Sequence, residues 1–114
     1  MSLNLLFICS RNQWRSPTAE RVWARSPNVS ARSAGTGKAA RRQVSDVDID
    51  WADLIFAMEE AHKARMIANF RQQMRSKAVY VLDIPDDYRF MDLELVDLIE
   101  EATTPIVEDV LNRS

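Results

Sequence analysis

The chain has one cysteine, one histidine and only two glycines among its 114 residues. A single cysteine excludes an internal disulfide, so nothing in the composition points to an oxidising compartment. No cluster of His, Cys and acidic residues has metal-ligand spacing, and no metal is expected. With glycine so scarce there is no Gly-x-Gly-x-x-Gly and no Walker-type loop, so no nucleotide cofactor is indicated. Long apolar runs are also missing. The stretch ending at Ile8 is only about six residues and has no basic residues before it, too short for a signal peptide or a membrane span. The expectation is a cytoplasmic protein that needs no cofactor and no membrane.

What is present suits one soluble domain over residues 1–114, with 46% hydrophobic and 28% charged residues. The net charge of −2 hides an asymmetry: residues 1–77 carry +6 and residues 78–114 carry −8. An acidic end does not suit nucleic acid, while the arginine-rich first part suits a small anionic substrate. For most of these charges, two solvated faces of opposite sign are an equally good account.

Apolar runs at Leu3–Ile8, Val29–Ser33, Leu54–Met58 and Ala78–Leu82 read as four strands. Helical patterns lie between them. One starts at Ser16 with Pro17 in its first turn. Another runs from Glu59 to Phe70, with Ala61, Ala64, Met66, Ile67 and Phe70 as inward positions. Lys38 to Asp50 reads as a loop with at most a turn of helix near Ser45. Met91 to Ala102 reads as an amphipathic helix, and Thr104-Pro105 as the start of a separate last one. Strands alternating with helices predict an α/β domain: a doubly wound, four-stranded parallel sheet with helices on both faces. Sites in such sheets lie beyond the carboxyl ends of the strands. Cys9, Ser33-Ala34 and Asp83–Asp87 follow directly on strand ends, and His62 follows shortly after the third. The two glycines, Gly35 and Gly37, close the second strand, where either φ > 0 or a close approach to another loop is required.

The most telling segment is Leu5-Leu6-Phe7-Ile8-Cys9-Ser10-Arg11-Asn12-Gln13-Trp14-Arg15-Ser16-Pro17. A lone cysteine after an apolar strand is commonly just a small buried hydrophobe. Here, however, the thiol lies between a strand end and a helix N-terminus, with Arg15 six residues on. Inward N–H groups, the helix dipole and Arg15 would favour a thiolate, and the guanidinium can grip a phosphoryl group through two parallel hydrogen bonds. A hydroxyl at Ser16 could donate to the sulfur. The sulfur would attack phosphorus in line and form a cysteinyl-phosphate.

This run, together with Ser33-Ala34-Gly35-Thr36, Asp53–Met58 followed by His62, and Ile84-Pro85-Asp86-Asp87-Tyr88, resembles the low-molecular-weight protein tyrosine phosphatases, a flavodoxin-like fold. The resemblance implies Cys9 as nucleophile, Arg15 as phosphate clamp and Asp86 as general acid. It makes Ser10, Arg11, Asn12, Gln13, Trp14, Arg15 and Ser16 the phosphate-binding loop, with Ser16 donating to the thiolate. Asn12 would be left-handed, a role that suits Asn on physical grounds too, and Ser33 and His62 would support it. Substrates would be a phosphorylated protein or a small aryl phosphate. A phosphate- or phosphoprotein-binding module, or a cysteine phosphocarrier with little turnover, is the alternative. An arsenate reductase on this fold would require further cysteines.

Several positions depart from the family pattern. Asp87 replaces the proline after the acid, so two carboxyls compete, and Asp86 is preferred because neighbours along a loop point opposite ways. The acid would need a proton, which burial beside Tyr88 would help it hold. Arg11 stands where the family has glycine and adds charge at the rim. Trp14 stands where a second cysteine is common, and could be either a substrate platform or a packed loop-edge aromatic. Between Gly37 and Ala40 a loop and helix of the family, about twenty residues, are missing. The cradle is thus expected intact and the wall beside the substrate cut down.

Overall fold

The computed structural model describes residues 2–113, so the two terminal positions of the expected 1–114 domain lie outside the described residues. Four strands, β1 (Leu3–Cys9), β2 (Val29–Gly35), β3 (Leu54–Ala57) and β4 (Ala78–Val81), form a parallel sheet in the order β2-β1-β3-β4. Helices α1 (Arg15–Trp23), α2 (Asp46–Trp51), α3 (Glu60–Asn69), α4 (Arg71–Met74) and α5 (Leu93–Arg113) complete the chain.

The continuous apolar run of β1 is explained by burial on both faces. Leu5, Phe7 and Cys9 point to one side, where they meet Ala19 and Trp23 of α1 and Leu95, Ile99 and Val107 of α5. Leu6 and Ile8 point to the other, against Ile49 of α2, Met66 of α3 and Met74 of α4. Phe7 stacks on Phe56 with centroids 5.3 Å apart, and Phe56 on Tyr80 at 5.6 Å, tying three strands on the α1/α5 face. Such pairs contribute about 0.5–1.5 kcal/mol beyond their buried area. No helix among the described residues is long and apolar enough to cross a membrane.

Three expectations require correction. Thr104-Pro105 does not start a new helix: α5 runs unbroken from Leu93 to Arg113. Proline offers no N–H to the carbonyl of Glu101, but the buried stripe Leu95, Ile99, Thr103, Val107 continues past it at four-residue spacing. Thr103 Oγ1 donates to Ile99 O at 2.6 Å and accepts from Trp23 Nε1 at 3.0 Å, fastening the helix to α1 just before the proline.

In α3 the inward face is only partly the one expected. Met66 is buried and Phe70 packs against the same core, but His62 takes the other inner position, while Ala61, Ala64 and Ile67 are exposed. The histidine, apparently polar, takes the inner position because both its ring nitrogens find partners there. Finally, α2 is a six-residue helix rather than a turn. Ser45 caps it, its hydroxyl accepting from Asp48 N while the Asp48 carboxylate accepts from Ser45 N. Asp48 is buried and also receives Arg42 and, at 3.6 Å, Arg32.

Candidate active site

β1 ends at Cys9 and α1 begins at Arg15, so residues 10–14 form a tight loop at the carboxyl edge of the central strand. Asn12 has φ 55° and is fully buried. Asn is among the side chains that tolerate this left-handed conformation. Its Nδ2 donates to Ser16 Oγ at 3.0 Å and to Ser33 Oγ at 2.9 Å. Ser33 in turn donates to Glu20 Oε1 at 2.5 Å. The amide therefore bridges the loop, α1 and β2. Its Oδ1 is buried without a partner among the described residues.

Two donors reach the sulfur. Asn12 N points at Cys9 Sγ from 3.3 Å, and Ser16 Oγ lies 3.0 Å from it. Because Ser16 already accepts from Asn12, its own proton is left for the sulfur. The sulfur these donors reach is itself buried, at 3% exposure.

Arg15 is buried and held edge-on. Its Nη1 donates to Glu59 Oε2 at 2.6 Å and to Ile84 O at 2.8 Å, while Nε lies 3.6 Å from Asp86 Oδ1. A small cavity of about 30 Å³ is lined by Cys9, Arg11, Gln13, Trp14, Arg15 and Asp86. Thus the thiol, the arginine and the carboxylate favoured from sequence meet in one place. A larger cavity of about 650 Å³, lined in part by Leu3, Asn28 and Asp53, lies at the opposite end of the sheet and holds none of these groups.

Two site expectations, at His62 and Asp86, are modified, and the open choices at Asp87 and Trp14 are narrowed. His62 does not touch Asn12. Its Nδ1 accepts from Glu59 N at 3.0 Å, which leaves the proton on Nε2 to bond Ser10 Oγ at 2.9 Å, so it supports the loop through Ser10. Burial and the nearby Arg15 push its pKa below the usual histidine value, outweighing Glu59 and Asp86, and the ring is neutral. Asp86 is not buried beside Tyr88: its side chain is 57% exposed at the rim. Tyr88 packs against the α1/α5 core, and its hydrogen bond to Glu94 raises its pKa above the ordinary phenol value. Asp87 is exposed and does not line the cavity. Trp14 is 42% exposed and lines the mouth, so it is not a packed loop-edge aromatic.

Both glycines serve close approach, since neither has positive φ. A Cβ on Gly35 would lie 2.6 Å from Ser10 O and 2.7 Å from Ala40 Cβ. The short segment after Gly37 folds straight onto the back of the loop: Gly37 N donates to Ser10 O, Arg41 N to Arg11 O, both at 2.9 Å, and Arg41 Nε to Asn12 O at 3.0 Å. Glu59 and Glu20 were not singled out from sequence. The available signals were their places, one directly after β3 at the carboxyl edge, the other four residues beyond Ser16 on α1.

No family model matches the chain, and a search of the curated proteins finds no match. Solved structures do match over nearly its whole length. The YwlE arginine phosphatase from Geobacillus stearothermophilus superposes with TM-score 0.77 at 22% identity, covering 97% of this chain and 94% of that one. The tyrosine phosphatase Wzb from Escherichia coli, in complex with phosphate, gives 0.75 at 25% identity, covering 96% and 99%. This chain has the low-molecular-weight phosphatase fold. A low-molecular-weight protein tyrosine phosphatase from Streptococcus pyogenes fits the same fold with TM-score 0.76 at 19% identity, covering 94% of this chain and 92% of that one. In this low-molecular-weight phosphatase fold the strand order and the loop after β1 put Cys9 beside the central edge of the sheet.

Proposed function

We propose that the chain is a cysteine-dependent phosphomonoester hydrolase. The observation that carries this reading is the convergence on Cys9 Sγ of Ser16 Oγ and Asn12 N, with Arg15 and Asp86 on the same cavity. The thiolate attacks phosphorus in line and the bond to the leaving oxygen breaks, while Asp86 delivers a proton to that oxygen. Water then attacks the cysteinyl-phosphate, the S–P bond breaks, and the Asp86 carboxylate takes the water's proton as inorganic phosphate forms. Because Nη1 of Arg15 is committed to Glu59 and Ile84, the Nε–Nη2 edge is the fork that would hold two phosphoryl oxygens. Asp86 would turn from Nε to the leaving oxygen as phosphate arrives.

The favoured substrates are phosphorylated tyrosine-like aryl esters, on a protein or free, because the exposed indole of Trp14 at the mouth offers a face for a ring. A binding module or phosphocarrier has no use for Asp86 at the rim. Phosphate release from p-nitrophenyl phosphate, phosphotyrosine and phosphoarginine by the purified protein tests the reading and ranks the substrates. Cys9→Ser is expected to abolish turnover while phosphate still binds, since the cradle is largely backbone and arginine. Retention of most activity by Cys9→Ser would exclude the covalent route.

A further inference from the structure

Arg11 lines the same cavity as Cys9, Arg15 and Asp86, yet among the described residues its guanidinium has no carboxylate partner. Its backbone is fixed, because Arg41 N donates to its carbonyl at 2.9 Å and Arg41 Nε to the next carbonyl, that of Asn12, at 3.0 Å. The side chain is exposed at the rim. The cavity of about 30 Å³ has room for a single small group, and Arg15 already supplies a guanidinium at its floor. A phosphoryl group would fill it. The head of Arg11 is then left to meet whatever the substrate carries just outside.

The charge around the mouth is two-sided. Asp86 stands at the rim and Glu59 lies behind Arg15. Arg11 is the cation there that forms no ion pair with any described residue, while Arg15 is held by Glu59. A second negative group would therefore be repelled by Asp86 and attracted by Arg11.

We propose that Arg11 is a specificity-determining residue that grips a second anionic group, a carboxylate or a phosphate, carried by the substrate next to the phosphoryl group in the loop. This rests on the phosphate-binding reading of the loop but not on turnover, so it can be tested by binding. The intact protein is titrated, by its tryptophan fluorescence, with non-hydrolysable phosphonates in two arms. One arm compares peptides bearing a phosphonomethyl-phenylalanine flanked by glutamate or by glutamine. The other compares benzylphosphonate with and without a carboxylate on the ring.

In at least one arm the member with the extra carboxylate is expected to bind at least about threefold more tightly, as a partly exposed Arg–carboxylate pair allows. The gain should shrink between about 0.05 and 0.5 M salt. A gain in the peptide arm alone assigns the second anion to a neighbouring residue of a protein substrate. A gain in the small-molecule arm alone assigns it to a group on the same molecule as the ester. In Arg11→Gln the ratio is expected to fall to about one, and in Arg11→Lys to recover in part. The readout is a ratio within each variant, so any general weakening of the loop cancels. No gain in either arm, or an equal gain in Arg11→Gln, overturns the proposal. Hydrolysis of p-nitrophenyl phosphate, measured on the same preparation, reports separately on the phosphatase reading, and failure of every phosphonate to bind overturns both.

Discussion

Asp86 and Asp87 are adjacent in sequence and different in surroundings. Only Asp86 lines the cavity, with an oxygen 3.6 Å from Arg15 Nε. General acid catalysis contributes about 10²–10⁴-fold and matters most for a poor leaving oxygen. Asp86→Asn is expected to slow phenyl phosphate much more than p-nitrophenyl phosphate, whose nitrophenolate is already stable, and Asp87→Asn to change both little. Equal slowing of the two esters by Asp86→Asn would assign it a structural role. His62 gives a second test. Its folded pKa is depressed below the unfolded value of about 6.5, so its neutral form stabilises the fold fully above that pH. The contribution is lost as pH falls from there toward the folded pKa, where the charged ring loses the Nδ1 acceptor used by Glu59 N. Thermal midpoints measured from about pH 7.5 to 5 should decline more steeply for the native chain than for His62→Gln. Parallel declines would remove His62 as the cause. At this scale the sequence made legible the lone cysteine at the end of β1 and the left-handed Asn12, while the lone histidine sits at the loop but on Ser10 rather than Asn12. Glu20 and Glu59 were not legible, because a glutamate looks the same in sequence whether it faces water or, as here, accepts from Ser33 or from the buried Arg15.

Among the elements, the loop and the segment behind it are one unit. Gly35 lets Ser10 O and Ala40 approach to distances no side chain would permit. Gly35→Ala should cost about 1–3 kcal/mol through overpacking, a fall of roughly 4–12 °C in Tm for a domain of this size. Activity should fall further than stability, because the displaced atom belongs to the loop backbone. A variant with native Tm and native turnover would show that the segment 37–42 can yield without moving the cradle. The strands were readable because burial on both faces demands unbroken apolar runs. The inward face of α3 was readable only at Met66 and Phe70, since a histidine with two partners displaced the alanines that periodicity favoured. The continuity of α5 was not readable, because a buried stripe and the Trp23–Thr103 bond override a local proline signal. Local rules lose where tertiary partners exist.

For the whole molecule, the strand order β2-β1-β3-β4 sets when the site can exist. The cysteine lies on a central strand near the start of the chain, and its neighbours arrive late: Gly35 beside it, Glu59 after β3, and Ile84 and Asp86 after β4. Every one of these partners is distant in sequence, and parallel pairings of this kind form slowly because loop closure precedes any reward. A nascent chain that has made only β1, α1 and β2 has the motif but neither the Ile84 carbonyl that holds Arg15 nor Asp86, the proposed acid. On the proposed mechanism, catalysis is thus a property of the finished sheet. In refolding from denaturant, turnover and the far-UV signal of the native sheet should return with one rate constant, and turnover preceding the sheet would contradict this. On that mechanism this placement is a safeguard that costs no extra residue: a half-made copy would hold the thiol without Asp86 to protonate a leaving oxygen and without Ile84 O to hold Arg15.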